Sequence, residues 1–179
     1  MFQPATTVLL VIDVQGNLAA AMHDREQLFQ NLSRLIRGVN ILDIPVLLTE
    51  QMPDKIGATQ PFITELLPGT KPLVKFTFSC CGSPEFMHAL AASGRRQVLI
   101  CGIETHVCVY QTAFDLKMRG FGTSLVADAV SSRSAVNTAV AVEKMKSLGI
   151  TLTTVEMIAM ELIRDAKHPK FKDILNLIK

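Results

Sequence analysis

The sequence predicts a single-domain α/β fold in which helices cover both faces of a mainly parallel sheet. Short apolar runs alternate with segments whose apolar residues recur at steps of three and four, as strands and amphipathic helices require. Glycine follows three of the predicted helices, at Gly94, Gly120 and Gly149. Because crossovers between parallel strands are right-handed, this alternation places helices on both faces of one sheet. We expect one domain over residues 1–179.

The first half of the chain contains three predicted strands. Residues 6–14 are rich in Val, Leu, Ile and Thr, which is typical of a central strand buried on both faces. The second and third strands are expected at residues 45–48 and 73–76. Between them, the proline-bearing residues 50–69 predict a loop-rich segment that covers a site.

The predicted helices begin at recognisable signals. The first starts near Asp24 and keeps its apolar residues on one stripe. Ser83 is a suitable N-cap for a helix from Pro84 to about Ala92. The remaining elements are predicted as strands at residues 97–101, 121–127 and 150–153, helices at residues 106–119, 135–148 and 155–164, and a last amphipathic turn or two from Phe171 to Ile178.

Composition limits the partners of the protein. Hydrophobic residues make up 49% of the chain, more than a monomer of this size usually needs, so we expect a homo-oligomer. The net charge is +2 and no cationic tract is present, so no nucleic-acid partner is expected.

The compartment is also suggested by the sequence. The apolar residues 8–12 are followed by Asp13 and preceded by no basic residue, which argues against a signal peptide or a membrane span. The four cysteines, at positions 80, 81, 101 and 108, match neither a disulfide framework nor a zinc-binding spacing. We expect a soluble cytoplasmic protein.

Three reactive side chains fall at the ends of predicted strands, where open parallel sheets bind ligands. Asp13 ends the first strand, Lys75 ends the third, and Cys108 follows the fourth. A helix start favours a thiolate by about 0.3–1 kcal/mol, whereas an ammonium about 4 Å away contributes up to about 4 kcal/mol at an effective dielectric constant of about 20. Lys75 is therefore expected to favour the thiolate more strongly, and Asp13 to take the thiol proton.

Each of these residues has a structural alternative when it is taken alone. Cys108 fits a small core residue, Asp13 a turn residue, and Lys75 a solvated charge at a strand end. The combination favours a catalytic site, because the absence of one would require all three structural alternatives to be true at once.

Three segments resemble the signature segments of the isochorismatase-like cysteine hydrolase superfamily, which includes nicotinamidases and N-carbamoylsarcosine amidohydrolase. They are "LLVIDVQ" at 9–15, "KFTFS" at 75–79 and "GIETHVCVYQTAFDL" at 102–116. The isochorismatase domain-containing branch is the most similar one, through "LLTEQMP" at 47–53, "DAVSSRS" at 128–134 and "DAKHPKF" at 165–171. The resemblance implies a three-layer α/β/α fold with a six-stranded sheet in the order 3-2-1-4-5-6.

The resemblance also implies roles for individual residues. Asp13 would be the general base and acid, Lys75 the electrostatic orienter, and Cys108 the nucleophile. The bond between Ile103 and Glu104 would be a non-proline cis peptide, which is rare and costs about 3–4 kcal/mol. The backbone amides of Glu104 and Cys108 would form an oxyanion hole.

A substrate pocket is expected beside these residues, with Gln15, Glu50, Gln51 and Phe76 in its lining. Nicotinamidases carry metal-binding histidines and an aspartate after the second strand, whereas this chain has residues 49–52, "TEQM", there. The four histidines, at positions 23, 88, 106 and 168, lack metal-ligand spacing. We therefore expect no metal and no other cofactor.

The leading hypothesis is a cysteine-dependent hydrolase that cleaves a small amide or related acyl substrate through a Cys108 thioester. One alternative is a catalytically idle oligomeric scaffold or binding protein of the same fold. Another is a redox thiol protein that pairs Cys108 with Cys80 or Cys81, although adjacent cysteines fit packing better than disulfides. The sequence does not select the small molecule.

Overall fold

Six strands, all parallel, form one sheet within residues 1–178, the part of the chain that our computed structural model describes. The strands are β1 (Thr7–Ile12), β2 (Val46–Gln51), β3 (Leu73–Lys75), β4 (Gln97–Ile103), β5 (Gly122–Ser131) and β6 (Thr151–Thr153). Their order in the sheet is β3-β2-β1-β4-β5-β6, which confirms the predicted order. The first strand is central, as expected.

Nine α-helices accompany the sheet in the same residues. They are α1 (Gly16–Ala20), α2 (Arg25–Ile41), α3 (Pro53–Ile56), α4 (Pro61–Leu66), α5 (Pro84–Ala92), α6 (Tyr110–Met118), α7 (Ala135–Ser147), α8 (Val155–Ile163) and α9 (Phe171–Ile178). Each helix in this part of the chain is too short or too polar to cross a lipid bilayer.

Alternate residues of β1 face two separate cores. Leu9 and Val11 pack with α2, α8 and α9 on one face of the sheet. Val8, Leu10 and Ile12 pack with α5, α6 and α7 on the other face. Both faces are covered, so a strand buried in this way favours apolar residues on both faces, which explains the unbroken apolar run from Val8 to Ile12.

Most helix boundaries follow the sequence signals. The Ser83 side chain accepts a hydrogen bond from the backbone N–H of Phe86 and so caps α5. The three glycines predicted to end helices, Gly94, Gly120 and Gly149, have φ values of 66°, 80° and 75°. These positive angles are the left-handed conformation that a helix C-terminus favours.

The strands differ from the prediction in ways that position the site. β2 continues past the predicted residue 48, because Thr49, Glu50 and Gln51 pair with β3. Gln51 lies opposite Lys75 in this register. β5 also runs longer than predicted. Its pairing with β4 is interrupted after Ile100 and Leu125, and it resumes where Gly102 lies opposite Val130.

Two helical segments also differ from the prediction. Residues 50–69 contain α3 and α4, which both begin at a proline, the residue that suits the first helical position. The helix expected at residues 106–119 starts as a π-helical turn over Thr105–Val109 and continues as α6. Cys108 lies within this π-helical turn, a feature that is frequent at functional sites.

Candidate active site

Three segments leave the carboxyl edge of the sheet through residues in the left-handed conformation. Asp13 after β1, Met52 after β2 and Glu104 after β4 have φ values of 54°, 39° and 55°. None of them is glycine, and such residues cost of order 1–3 kcal/mol unless their surroundings hold them. Residues with such strain cluster at functional sites, so the presence of three of them at one edge of the sheet indicates a functional site there.

A close approach of two strands brings their carboxyl ends together. Gly102 has a φ of 129°, and a Cβ at this position would lie only 2.2 Å from the carbonyl oxygen of Ile12. Only glycine fits, so β4 passes directly against the end of β1. This contact places Asp13 beside the turn that leads into Cys108.

The expected cis peptide between Ile103 and Glu104 is wrong for this structure. No peptide bond in residues 1–178 is cis. The turn is instead made by the unusual φ angles of Gly102 and Glu104, which reverse the chain between β4 and the π-helical turn.

Lys75 and Asp13 form a buried ion pair. The Lys75 Nζ lies 2.6 Å from Asp13 Oδ2 and also donates to Gln51 Oε1 at 2.8 Å. The hydroxyl of Thr49 donates to the second carboxylate oxygen of Asp13 at 2.8 Å. Both oxygens of Asp13 are thus held by donors on β2 and β3. This arrangement fixes the carboxylate in one orientation.

The pair accounts for the charge state of Lys75. Burial lowers the pKa of this ammonium, but the attraction of the Asp13 carboxylate, with smaller contributions from two nearby thiols, raises the pKa above its ordinary value overall. Lys75 is only 1% exposed, so the solvated structural alternative does not apply. The ammonium remains charged throughout the physiological range.

Cys108 lines the same cavity as Asp13, and its thiol keeps its proton at neutral pH. Burial and, to a smaller extent, the charge of Asp13 raise the pKa of the thiol while Lys75 lowers it, and the overall result is a pKa of about 12. This result differs from the expectation that Lys75 would favour a thiolate. The reason is that burial disfavours the thiolate most strongly, and that Asp13 compensates the ammonium, so the sulfur meets little net positive charge.

Arg133 and Glu104 form a second ion pair at the rim of the site. Nη2 and Nε of Arg133 donate to the two carboxylate oxygens of Glu104 at 3.1 and 3.3 Å, and the backbone N–H of Arg133 donates at 3.2 Å. These bonds raise the pKa of Arg133. They tie the left-handed Glu104 turn to the end of β5. Sequence reasoning missed Arg133, although its position after the fifth strand was a usable signal.

A cavity of about 700 Å³ opens over Cys108. Asp13, Glu104 and Cys108 contribute to its lining. Its apolar walls are formed by Leu18, Ala21, Ile56, Phe78, Ile103 and Val107, and its other polar groups are Asn17, Gln51, Lys55 and Arg133. The size and mixed lining suit a small organic molecule.

Of the four residues predicted to line the pocket, Gln51 alone does so. Gln15 is buried beneath the cavity, where its side chain donates to the carbonyl of Gly57 at 2.6 Å and accepts from the Gln51 N–H at 2.7 Å. Glu50 accepts hydrogen bonds from the N–H and hydroxyl of Thr59. Phe76 is 76% exposed and lines a neighbouring groove along β3.

The other cysteines lie outside the cavity lining, and all four thiols are free. Cys80 is fully buried, and burial raises its pKa to about 12. Among residues 1–178, no group of three or more His, Cys, Asp or Glu side chains is placed to hold a metal ion.

The sheet order and the arrangement of helices place the chain among the isochorismatase-like folds. Its sequence matches the isochorismatase domain over residues 7–157. The chain therefore belongs to the isochorismatase family, a family of hydrolases.

Named relatives support this assignment. Isochorismatase domain-containing protein 1 of Danio rerio is 41% identical over an alignment that covers 98% of this chain and 62% of the zebrafish protein. The chain thus spans less than two thirds of that relative's length. The structure of MAR1 ribonuclease from Caenorhabditis elegans is 37% identical, with a TM-score of 0.93 over 99% of this chain and 91% of that one.

The similarity to a third protein concerns the fold only. The YcaC gene product from Escherichia coli, described as an octameric hydrolase of unknown specificity, is 23% identical and has a TM-score of 0.89. The superposition covers 99% of this chain and 94% of YcaC.

Proposed function

We propose that this chain is a cysteine hydrolase that cleaves a small amide or a related acyl compound through a thioester on Cys108. The observation that supports it best is that the Cys108 thiol and the Asp13 carboxylate line the same cavity, while the carboxylate is held by the Lys75 ammonium. A base, a nucleophile and a cavity for the substrate then lie within one site.

In the first step, Asp13 takes the proton of the Cys108 thiol while the sulfur attacks the carbonyl carbon. The carbon–oxygen π electrons move to the oxygen and give a tetrahedral oxyanion. The backbone N–H groups of Glu104 and Cys108 are proposed to stabilise this anion, since N–H groups in the first turn of a helix lack intrahelical partners.

In the second step, the carbon–nitrogen bond breaks and the departing amine takes the proton from Asp13. The product is a Cys108 thioester. Water then gives one proton to Asp13 and attacks the thioester, the carbon–sulfur bond breaks, and the sulfur recovers its proton. Asp13 therefore serves as base and acid in each half of the cycle.

The decisive experiment is an intact-mass screen of small amides and carbamoyl compounds for an acyl adduct. We expect an adduct on Cys108 and its loss, together with turnover, in Cys108→Ala. Cys81→Ala is the matched control, because Cys81 is also buried but lies outside the cavity lining. Full turnover by Cys108→Ala would refute the nucleophile assignment.

The same variants separate this function from its alternatives. An idle scaffold would show no turnover, no adduct and a Cys108 thiol that reacts no differently from an ordinary buried one. A redox protein would form a disulfide from Cys108 to Cys80 or Cys81 with peroxide. Burial raises the pKa of both partners, to about 12 and about 11, which disfavours the thiolates that this chemistry needs.

The name of the Caenorhabditis elegans relative adds RNA cleavage as a second candidate. The low net charge of +2 disfavours it, since nucleic-acid binding relies on clustered cations. RNA cleavage that disappears in Cys108→Ala, with no amide turnover, would favour this candidate over ours.

We also propose that the chain forms a homo-oligomer in the cytoplasm. β3 is an edge strand, and Val74, Phe76 and Phe78 on and after it are 41%, 76% and 54% exposed. An apolar sheet edge of this kind favours burial against another copy. The molar mass from light scattering should exceed that of one chain, and Phe76→Lys should reduce it. A monomeric wild-type protein would contradict this proposal.

A further inference from the structure

Among the charged side chains that line the cavity within residues 1–178, one cation takes part in no ion pair. Asp13 is compensated by Lys75, and Glu104 by Arg133. Lys55 also lines the cavity. It takes part in none of the ion pairs found within residues 1–178. The four paired charges cancel, so the cavity has a net positive charge that comes from Lys55.

The position of Lys55 is fixed by the turn that carries it. Lys55 lies on α3, which ends at Ile56. The carbonyl oxygen of Ile56 packs closely on Gly16, since a Cβ added to Gly16 would lie only 2.2 Å from this oxygen. The buried Gln15 side chain donates to the carbonyl of Gly57, the next residue. Gln15 therefore positions the rim that presents Lys55, although it does not reach the cavity.

We propose that the substrate carries an anionic group, a carboxylate in the simplest case, that pairs with Lys55 while the acyl carbon meets Cys108. This inference rests on the proposed function for the same site. An uncompensated ammonium at a cavity mouth attracts anions over several ångströms. The apolar residues of the cavity lining suit a short hydrocarbon body. The substrate class is thus an amide or carbamoyl derivative of a small carboxylic acid.

The first test measures the charge preference of the cavity without any substrate. Iodoacetate and iodoacetamide are of similar size and both alkylate a thiolate with loss of iodide, but only iodoacetate carries a charge. The ratio of their rates at Cys108, followed by peptide mass spectrometry, is compared with the ratio for N-acetylcysteinamide in solution. We expect a higher ratio at Cys108 and a decrease of about two- to fivefold in Lys55→Gln, the size expected for an exposed ion pair.

Lys167→Gln is the matched control, since Lys167 is exposed but does not line the cavity. It should leave the ratio unchanged. The preference should also weaken between about 0.02 and 0.5 M salt, because salt screens exposed charges. A ratio equal to that of the free thiol, or one that Lys55→Gln does not change, would overturn the inference.

A second test uses substrates and separates this inference from the proposed function. Succinamate and succinamide are both small amides, and only succinamate carries a carboxylate. We expect wild-type kcat/KM to favour succinamate and Lys55→Gln to lose that preference while it still hydrolyses succinamide. Turnover of both without preference would overturn the inference alone. If neither is hydrolysed and no adduct forms on Cys108 in the wider screen, the proposed function fails, and the alkylation ratio still decides the charge preference.

Discussion

The ion pair between Lys75 and Asp13 gives a direct test of the electrostatics of the site. The two residues are only 1% and 3% exposed, so water solvates each charge poorly when its partner is removed. Lys75→Met keeps the length and the apolar stem of the side chain but leaves the Asp13 carboxylate unpaired. Loss of one partner from a buried ion pair costs about 3–5 kcal/mol. This is a large part of the roughly 5–15 kcal/mol by which a domain is usually stable.

The assay is urea unfolding of a double-mutant cycle. Asp13→Asn leaves the ammonium unpaired and should also be strongly destabilising, whereas the double variant holds two neutral side chains. Its free energy of unfolding should therefore exceed the additive expectation by up to about 3 kcal/mol. A sum that is additive within about 0.5 kcal/mol would refute the reasoning.

A surface pair supplies the control for this cycle. Lys170 and Asp43 also lie 2.6 Å apart, but their side chains are 38% and 85% exposed. Lys170→Met should cost less than about 1 kcal/mol, because water solvates the remaining carboxylate. If Lys75→Met costs no more than this control, burial does not decide the strength of the pair.

Three further predictions follow from the pKa shifts and the close strand contact. Alkylation of Cys108 by iodoacetamide should accelerate about tenfold per pH unit from pH 7 to 11, because its thiol has a pKa of about 12; a plateau near pH 9 would contradict this. The free energy of unfolding should fall as pH rises from 9 to 11, since thiols such as Cys80 and Cys108 ionise near 9 when unfolded but keep their protons to about 12 when folded. Each such thiol contributes about 1.4 kcal/mol per pH unit, and Cys108→Ala should remove one share of that slope in urea titrations. Gly102→Ala should destabilise the fold by about 2–5 kcal/mol, because the new Cβ would clash with Ile12 and the φ angle is unfavourable for alanine. Gly94→Ala is the control: its Cβ would meet open space at a φ of 66°, so it should cost only about 1 kcal/mol. Equal losses of stability in the two variants would show that the contact between β1 and β4 is not rigid.

The parts of the fold that local patterns determine were predictable from the sequence. The alternation of strands and helices, the cap at Ser83 and the left-handed glycines depend on neighbours within a few residues. The meeting of Asp13, Lys75 and Cys108 at one cavity edge follows from the rule that parallel strands present their carboxyl ends together. Periodicity and topology therefore predicted where these three side chains come together, which is the candidate site.

The features that depend on remote partners were not predictable in this way. Gln51 contacts Lys75 because β2 continues to pair with β3, and no local signal marks that extra length. The thiol of Cys108 is neutral because Asp13 and burial outweigh Lys75, a balance that needs coordinates. Arg133 was overlooked because its role depends on the side chain of Glu104, which comes from a different strand end.

A neutral thiol beside a compensated ammonium suits catalysis better than a free thiolate would. At rest, the charges of Asp13 and Lys75 cancel and the thiol keeps its proton, so the sulfur should react only slowly with alkylating reagents at neutral pH. In the proposed mechanism, Asp13 accepts the thiol proton during attack on a bound carbonyl, so its negative charge would disappear while a new one develops on the oxygen. Lys75 is then left uncompensated at the moment when the oxyanion forms, and its attraction is stronger in the transition state than in the ground state. Only interactions that are stronger in the transition state accelerate the chemical step. Lys75 would therefore contribute to catalysis because Asp13 no longer compensates its charge when the oxyanion forms.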